Sequence, residues 1–565
     1  MYSIGIPNNV QLIEQLTNKL SSLPVEIENP ISKMHNYLAK KPYNVIKEII
    51  ESLSSEGDVV YDGFMGSGTT GYEALKSGRR FIGIDINKVS INFFKSVAGI
   101  YDMEKFDDLI AMLNQGVLKD IEQVYETICP ECNRTAIIER ESYDHVSNGE
   151  IKLKRVKYIC HNCSPGRKTG IYIDSRKIDE DMLSSHINKA ELYNDLFGKE
   201  LLENKHIAIQ PGAKLGDYFS LRGKIAIGLL RQAIEKLPDI PEKKLVQFTF
   251  SSSLHFFKLS DYKASSQMPY WKPQKNIVCR NPLPFFLKRS ELIKDGLKYA
   301  ENSGINFPPY KKVSDLLDSN MGSHIIHDSI ISEASRKVPD HSVSLIITDP
   351  PYSDQVPYLE YTGLWDKILN LNNLSKDKLD KEIVVSYSPH RKKDSTRFML
   401  ELGKSIEEMG RVLESDGCLA MFYHDFSLKY WKEIIKTTQK AGLAFVSQVH
   451  IGRRLKSLKT VWNPNRTLDG SALVFFIKNK ELFELQQPKE TNIDKAEKIV
   501  KKKADEIIRK QDGKATSQQL YDLGVLNEVI KGNAIEILST KYKSFIQMFR
   551  KWYDFEEGFW VSREK

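Results

Sequence analysis

A short run of residues, Asp349-Pro350-Pro351-Tyr352, has the composition of a site that holds a planar ring carrying an exocyclic amine. Two successive prolines cannot continue a strand ladder or enter a helix interior, so they predict a rigid loop. Asp349 can accept one amine hydrogen and the carbonyl of Pro350 the other, while Tyr352 can stack on the ring face. Such hydrogen bonds favour a nucleophilic nitrogen as charge develops on it. A purely structural Pro-Pro turn is the alternative interpretation.

A glycine-rich run at residues 62–70, Asp-Gly-Phe-Met-Gly-Ser-Gly-Thr-Thr, lies between a short apolar stretch and a predicted helix. Glycines allow the backbone to turn tightly and to come close to a ligand. Asp85 follows the next apolar stretch, where a carboxylate can bind the hydroxyls of a ribose. No Gly-Lys-Ser/Thr follows the glycines, which disfavours a phosphate-binding loop. The pattern predicts an adenosine-type site, with a ligand-free strand–helix turn as the alternative.

Four of the six cysteines form two Cys-x-x-Cys pairs separated by 27 residues. These are Cys129, Cys132, Cys160 and Cys163. Four thiolates fill every position of a tetrahedral zinc, so the spacing predicts a structural zinc ribbon rather than a catalytic metal. Two disulfides or a redox pair are the other interpretation, and His161 could replace one cysteine. The remaining two cysteines are isolated, and Cys418 lies in an apolar run typical of a core thiol.

The elements that must position these residues follow from the hydrophobic pattern. Strand-like apolar runs alternate with helical periodicity over about 41–114 and again from about 311, which predicts an α/β fold with a mostly parallel sheet. The cysteine pairs and a mixed, aromatic and basic region separate the two blocks. The predicted units are residues 1–125 (first half of the core), 126–168 (zinc ribbon), 169–310 (insertion), 311–480 (second half of the core) and 481–565 (C-terminal helical unit).

The composition excludes several classes of protein. The chain has 565 residues, a hydrophobic share of 41%, and 82 Lys and Arg against 74 Asp and Glu. Its apolar stretches are too short for a membrane span, which needs about 20 residues. The N terminus lacks the basic and apolar regions of a secretory signal. The net charge of +8 permits an anionic partner without requiring one. We expect a protein of the reducing cytoplasm with no membrane association.

Together these motifs resemble the S-adenosylmethionine-dependent DNA amino-methyltransferases, which modify adenine N6 or cytosine N4. The glycine run is similar to the family's F-x-G-x-G motif, and Asp-Pro-Pro-Tyr is similar to its catalytic motif. The run Lys-Lys-Pro-Tyr-Asn at 40–44 resembles the segment that lines the methionine end of the cofactor. The cysteine pairs add similarity to a group of adenine-specific DNA methylases that contain a zinc ribbon. Gly63 departs from the family pattern, which usually has proline there.

The resemblance implies a Rossmann-like methyltransferase fold, with S-adenosylmethionine and structural zinc as cofactors. It implies these catalytic residues: Asp349, Pro350 and Tyr352. It implies these cofactor-binding residues: Lys41, Pro42, Asp62, Phe64, Gly66, Gly68, Thr69, Asp85 and Asp328. Asp328 would accept a hydrogen bond from the adenine amine of the cofactor, and a simple helix or turn cap is its alternative interpretation.

The implied reaction is methyl transfer to adenine N6 in double-stranded DNA, with the target base flipped out of the duplex. A restriction–modification or phage-defence role, with partner subunits, would fit this activity. The leading aspartate of the tetrapeptide favours adenine, while cytosine-N4 methylation and methylation of an RNA base amine stay open. A catalytically silent DNA-binding subunit of a defence complex is the alternative from another class.

The order of the motifs suggests that the insertion, residues 169–310, reads the DNA sequence. Aromatic and basic residues alternate there at 255–258, 262–263 and 270–272, as base stacking and phosphate contact would require. Packing of these aromatic residues in the insertion's own core is the alternative. The basic run at 390–393 is predicted either to touch phosphates or to form a solvated face. We expect the lysine-rich helix near 501–503 to be a solvated surface.

Overall fold

A computed structural model describes residues 8–36, 40–145, 151–163, 171–174, 188–261, 270, 275–352, 357–423, 425–452, 470–485 and 492–563. The strands are β1 (Val59–Asp62), β2 (Arg80–Ile84), β3 (Glu126–Ile128), β4 (Thr135–His145), β5 (Ile151–Ile159), β6 (Ile171–Asp174), β7 (Ser260–Asp261), β8 (Ile277–Arg280), β9 (Gly322–Ile326), β10 (Val343–Thr348), β11 (Leu413–Tyr423), β12 (Ala444–Ile451), β13 (Ser471–Ile477), β14 (Lys514–Ala515), β15 (Tyr553–Glu556) and β16 (Phe559–Ser562).

Helices connect most of the strands. The α-helices span Asn8–Ser22, Pro30–Met34, Tyr43–Leu53, Thr69–Lys76, Lys88–Ala98, Met103–Gln115, Val117–Val124, Asn194–Phe197, Leu221–Lys236, Lys243–Ser253, Leu283–Asn302, Val313–Leu317, Tyr358–Tyr361, Gly363–Leu369, Lys376–Lys381, Ser395–Val412, Leu428–Lys440, Lys480–Leu485, Ile493–Lys510, Ser517–Leu520, Leu526–Lys531, Ile535–Lys541 and Phe545–Trp552. Shorter helical turns are Lys205–Ile207, Leu215–Tyr218, Leu254–Phe256, Ser335–Lys337 and the π-helical turn Tyr521–Val525.

The central sheet has seven strands in the order β12-β13-β11-β10-β1-β2-β9. Strand β1 pairs in parallel with both β2 and β10, and only β13 runs antiparallel to its neighbours. The predicted mixed α/β fold with a mostly parallel sheet is therefore confirmed. The chain leaves β1 towards β2 and β9 and then returns to β10 on the other side of β1. The crevice between β1 and β10 is thus the topological switch point, where open parallel sheets bind ligands.

Both faces of this sheet are covered by apolar side chains. In β10, Leu345 and Ile347 belong to one hydrophobic core, while Ile346 belongs to the core on the opposite face. The same alternation separates Val60 from Tyr61 in β1. Successive side chains of a strand point to opposite faces, so a strand buried on both faces appears in the sequence as a continuous apolar run.

A second sheet contains the cysteine region. Its path is β6-β5-β4-β8-β7, and β3 pairs with β4 at its edge. Strand β8 belongs to the region that the sequence assigns to the insertion, yet it pairs directly with β4 of the cysteine region. The two inserted regions are therefore continuous through one sheet. Within it Arg222 forms a buried ion pair with Glu141 of β4 at 2.8 Å, which ties the helix Leu221–Lys236 to the sheet.

The described residues of the aromatic and basic cluster differ in exposure. His255 and Phe256 are partly exposed, whereas Phe257, Lys258 and Tyr270 are buried. The burial of Phe257 and Lys258 agrees with the alternative interpretation, a structural role in the insertion. The hydroxyl of Tyr270 donates to the backbone carbonyl of Glu360, which joins the insertion to the second half of the core. Residues 262–263 and 271–272 of the same prediction lie outside the described residues.

The C-terminal unit packs against the core near strand β12. Its helix Ile493–Lys510 buries a stripe that includes Ala496 and Val500, while residues 501–503 include partly exposed lysines. The unit is helical as predicted, but it also contains the three-stranded sheet β14-β16-β15. Its strands are two to four residues long, too short to give a distinct alternating pattern in the sequence. Within the described residues, no helix combines the length and the apolar character that a membrane crossing requires.

Candidate active site

A cavity lies at the switch point, where β1 and β10 end side by side. Residues from both halves of the core line it, including Lys41, Asp62, Phe64, Gly66, Thr69, Asp85, Asn87, Asp328, Asp349, Pro351, Tyr358, Glu382 and Phe422. The two motifs meet directly, because the hydroxyl of Thr348 donates to Asp62 at 2.8 Å although the residues are 286 positions apart. The parallel pairing of β1 with β10 brings the glycine loop and the Asp-Pro-Pro-Tyr tip together.

Asp62 holds the glycine loop in place. Its carboxylate accepts hydrogen bonds from the backbone N–H of Phe64 at 3.0 Å, and from the hydroxyls of Thr70 and Thr348 at 2.8 Å each. Burial raises the pKa of Asp62 to about 7, against the lowering effect of these hydrogen bonds. Asp62 thus joins the end of β1, the helix that follows it and the end of β10.

The glycine loop has the backbone geometry that its sequence predicts. Gly66 and Gly68 have φ angles of 53° and 82°, a backbone region that residues other than glycine rarely adopt. A Cβ atom on Gly68 would lie 2.5 Å from Cδ2 of Phe94, a ring that is itself fully buried. Thr69 then begins the helix Thr69–Lys76. The loop therefore leaves no space for side chains at Gly68 while it exposes backbone to the cavity.

Asp85 stands at the carboxyl end of β2 and faces the same cavity. One carboxylate oxygen accepts from the backbone N–H of Asn87 at 2.7 Å. The other accepts from the backbone N–H of Gly66 at 2.8 Å and from the hydroxyl of Ser90 at 2.9 Å. Burial raises the pKa of Asp85 to about 6. A carboxylate held in this way keeps acceptor capacity for hydroxyl groups of a ligand in the cavity.

Asp328 lies after β9, the strand that pairs with β2, and lines the same cavity. Its carboxylate accepts from the backbone N–H of Ser329 at 2.8 Å, so it also caps a turn. Lys378 and Lys381 lie 3.8 and 3.7 Å from it. Both interpretations of Asp328 that the sequence allows are therefore compatible with its position.

Asp349 is held by two side chains at the tip after β10. The ammonium group of Lys41 lies 2.8 Å from one carboxylate oxygen, and the hydroxyl of Tyr352 donates to the other at 2.6 Å. Lys41 also donates to the Tyr352 hydroxyl at 3.1 Å, and it lies 5.1 Å from the centre of the Phe422 ring. The sequence assigned Lys41 to the cofactor, and the structure places its charge on Asp349.

Tyr352 is packed into the protein rather than presented to the cavity. The side chain is 6% exposed, its ring meets Tyr423 edge-on at 5.5 Å, and its hydroxyl lies 3.2 Å from that of Ser471. A base can reach the face of this ring only if neighbouring residues move. Pro350 is buried, and Pro42 precedes the helix Tyr43–Leu53 as its N-cap.

Part of the cavity wall is formed by residues that no motif in the sequence indicates. Tyr358 and Glu382 line the cavity. Arg391 pairs with Glu382 at 2.8 Å and with the fully buried carboxylate of Glu360 at 2.5 Å. Lys393 forms a second ion pair, with Glu401. Two members of the basic run at 390–393 are therefore committed to ion pairs and do not face solvent as a phosphate-binding set.

The four predicted zinc ligands come together in the second sheet. All their sulfur atoms lie within 4.8 Å of one another, with 3.7 Å between Cys129 and Cys163 and 3.6 Å between Cys132 and Cys160. A tetrahedron of thiolates with metal–sulfur bonds of about 2.3 Å has sulfur–sulfur edges of about 3.8 Å. The donor set and its dimensions therefore fit zinc. His161 is exposed and is not one of the four converging side chains.

Comparisons with known proteins agree with this geometry. Residues 14–96 match the family model N6_N4_Mtase, described as a DNA methylase. The chain is 23% identical over 436 residues to the type II methyltransferase M.MjaII of Methanocaldococcus jannaschii, which covers 74% of this chain and 75% of that protein. No solved structure gives a significant match.

Shorter segments resemble two bacterial enzymes more strongly. The chain is 47% identical over 57 residues to the DNA adenine methyltransferase YhdJ of Escherichia coli, covering 10% of this chain and 19% of that protein. It is 37% identical over 84 residues to the type II methyltransferase M2.DpnII of Streptococcus pneumoniae, covering 14% of this chain and 31% of that protein. These two matches are thus confined to less than a third of either relative.

Proposed function

We infer that this chain is a DNA amino-methyltransferase that uses S-adenosylmethionine and acts on adenine N6. One observation carries the inference: the glycine loop and the Asp-Pro-Pro-Tyr tip line a single cavity at the switch point of the sheet. The match to a DNA methylase family model and the similarity to a DNA adenine methyltransferase support the same activity.

In this proposal one end of the cavity binds the cofactor, and the end near Asp349 binds the target base. Asp85 and Asp328 both line the cavity. In this proposal Asp85 accepts hydrogen bonds from the ribose hydroxyls, and Asp328 accepts from the adenine amine. Gly66 lines the cavity, and its backbone allows close approach of the ligand. S-adenosylmethionine would supply an electrophilic methyl group at the end of the cavity near Asp349.

Asp349 acts on the target amine in this proposal. A target adenine must leave the duplex to enter the cavity, which costs a few kcal/mol. Asp349 accepts one amine hydrogen and the Pro350 carbonyl the other, which favours an amine with an available lone pair. Lys41 and Tyr352 orient the carboxylate through the contacts described above. Tyr352 stacks on the base only after its ring has turned out of its packed site.

Zinc is proposed as a structural ion held by Cys129, Cys132, Cys160 and Cys163. Four thiolates leave no open position for a substrate, so the ion would stabilise the second sheet rather than take part in the reaction. The second sheet and the insertion would then form the part of the protein that contacts DNA. A role in restriction–modification, with partner subunits, is consistent with the type II methyltransferases that the chain resembles.

Transfer of a labelled methyl group tests the function. The purified chain is incubated with labelled S-adenosylmethionine and either unmodified genomic DNA or total RNA, and the nucleosides are separated by mass spectrometry. We expect N6-methyladenine in DNA, and an Asp349→Asn variant is expected to lose at least 100-fold in rate. Asp318→Asn, at an exposed aspartate, is the matched control.

Four outcomes would contradict this proposal. Label found in RNA alone would assign the enzyme to RNA, and N4-methylcytosine would move the target to cytosine. Unchanged activity of the Asp349→Asn variant would show that the tip does not hold the target amine. Binding of DNA without any transfer would favour the silent DNA-binding subunit.

A further inference from the structure

Two aromatic side chains form an exposed pair between the insertion and the second half of the core. Tyr387 is 58% exposed, and its ring centre lies 4.9 Å from that of His206, with 32° between the ring planes. His206 is also exposed. Two neighbouring rings with exposed faces offer a surface on which another planar ring can stack.

The two loops that carry this pair are anchored on the same buried carboxylate. Asn204 donates to one oxygen of Glu360 at 2.7 Å, and Ser386 donates to the other at 2.5 Å. The side chain of Asn204 also accepts from the backbone N–H of His206 at 3.0 Å. The Glu360 side chain has no solvent exposure. Because one fixed group holds both loops, Tyr387 and His206 are kept at a defined spacing before any partner binds.

The same carboxylate connects the aromatic pair to the wall of the active-site cavity. Arg391 bridges Glu360 and Glu382, and Glu382 lines the cavity. Tyr358, two residues before Glu360, lines it as well. In this buried network one guanidinium is shared by two carboxylates, and neutral donors complete the hydrogen bonds of Glu360. Such a network is rigid, so the position of the pair relative to the cavity is fixed by the fold.

Two exposed lysines lie close to the aromatic pair in the chain. Lys205 is next to His206, and Lys392 is on the loop after Tyr387. Aromatic faces combined with cations bind single-stranded nucleic acid, because bases stack on the rings while phosphates meet the positive charges. The surface is therefore complementary to unpaired nucleotides.

We propose that Tyr387 and His206 form a stacking platform for an unpaired DNA base next to the flipped target, with Lys205 and Lys392 contacting the adjacent phosphates. This inference rests on the proposed function in taking DNA with an extruded base as the substrate. Extrusion removes a stacking partner from the neighbouring bases. A platform beside the cavity replaces that partner and lowers the cost of the extruded state.

Binding of single-stranded DNA tests the platform without knowledge of the recognition sequence. The probe is a fluorescein-labelled 30-nucleotide DNA of randomised sequence, followed by anisotropy over a range of salt concentrations with the full-length protein. Tyr387→Ala is expected to weaken binding about ten-fold, within the range found for loss of one stacked base. Tyr387→Phe keeps the ring and is expected to stay within two-fold of wild type. Leu400→Ala removes another exposed apolar side chain, 61% exposed, as the matched control.

The salt dependence separates stacking from charge. Tyr387→Ala is expected to leave the slope of log affinity against log salt unchanged, whereas Lys392→Gln is expected to reduce it by about 0.7, the value for one phosphate contact in a single strand. Equal affinities of Tyr387→Ala and wild type, or equal weakening in Tyr387→Phe, would overturn the platform. Failure of wild type to bind this DNA, or tighter binding to RNA of the same sequence, would also overturn it.

The outcome is independent of the test of the proposed function. If wild type transfers methyl groups to DNA while Tyr387→Ala binds normally, only the platform fails. If Tyr387→Ala binds single-stranded DNA weakly while wild type transfers no methyl groups, the stacking surface is supported, and the proposed function fails together with the role of the surface beside a flipped target.

Discussion

Lys41 connects three side chains at the end of the cavity. Its ammonium group contacts the Asp349 carboxylate and the Tyr352 hydroxyl, and it lies over the Phe422 ring. Lys41 and Asp349 each expose less than a quarter of their side-chain surface. Ion pairs that are partly withdrawn from water hold geometry better than exposed ones do. We therefore regard Lys41 as a positioning residue for Asp349.

Replacing Lys41 by methionine removes the charge and keeps the length of the side chain. We expect the rate constant kcat to fall at least ten-fold because Asp349 is no longer oriented, while the affinity for S-adenosylmethionine changes less than three-fold. Single-turnover kinetics and calorimetric titration give the two quantities. Lys47→Met, at a half-exposed lysine of the helix Tyr43–Leu53, is the control. A large loss of cofactor affinity with intact kcat would instead support the role that the sequence predicts for Lys41.

Asp85 makes cofactor binding dependent on pH. Burial raises its pKa to about 6, so the group is largely protonated at pH 5 and ionised at pH 7. Ribose hydroxyls favour the ionised carboxylate, so binding lowers this pKa and releases a proton. Affinity for S-adenosylhomocysteine is therefore expected to rise about ten-fold from pH 5 to pH 7 and then level off. Calorimetry at several pH values measures it.

The Asp85→Asn variant provides the comparison for this titration. An amide does not titrate, so the variant is expected to bind more weakly at pH 7 and to depend less on pH across the same window. The dependence that remains is assigned to Asp62, whose pKa burial raises to about 7. If the wild-type affinity did not change between pH 5 and 7, the assignment of Asp85 to the ribose would be wrong.

At the scale of the element, the glycine loop depends on space as much as on backbone angle. Gly68 and Gly57 have the same φ angle of 82°, so an alanine at either position has the same backbone strain, about 1–2 kcal/mol. The surroundings differ. A Cβ at Gly68 meets the buried ring of Phe94 at 2.5 Å, whereas a Cβ at Gly57 meets no atom within 4 Å.

This pair of glycines allows a matched experiment. Gly68→Ala is expected to shift the loop and to weaken the affinity for S-adenosylhomocysteine at least ten-fold. Gly57→Ala is expected to lower stability by a similar backbone cost, about 1–2 kcal/mol, without changing that affinity. Thermal unfolding and calorimetric titration separate the two effects. Equal affinities of the two variants would show that the loop does not contact the cofactor.

At the scale of the whole molecule, the cysteine region joins the insertion through one sheet and lies apart from the cavity in the fold. The four thiols converge beyond strands β3 and β5, while the cavity lies at the ends of β1 and β10. A structural metal at such a site couples to local folding, because a preformed site does not exist in the unfolded chain.

Zinc content and chelation test this separation. We expect one zinc ion for each chain by metal analysis, and less than half of it after Cys132→Ser. Chelation is expected to weaken DNA binding while leaving the affinity for S-adenosylhomocysteine within two-fold of the untreated protein. Cys418→Ala, at an isolated buried cysteine of β11, is expected to keep its zinc. Full zinc retention in Cys132→Ser would contradict the predicted ligand set.

The sequence by itself determined the features that depend on local chemistry. The glycines of the loop and the prolines of the tip restrict the backbone locally, and each Cys-x-x-Cys pair has the spacing of a metal-binding knuckle. The parallel sheet was likewise predictable, because strands buried on both faces appear as continuous apolar runs between helical patterns. The short strands β14–β16 were not, since two to four residues carry no period.

Only the tertiary structure decided how distant residues pair. Lys41 contacts Asp349, and Arg391 is buried between Glu360 and Glu382. Two loops are anchored on Glu360. No periodicity in the sequence relates the residues that these contacts join. A lysine or arginine has the same sequence signature whether it faces solvent or a buried carboxylate. Its role depends on which partner the fold places within about 4 Å, because that distance and the burial of the pair determine the Coulomb energy and the desolvation cost.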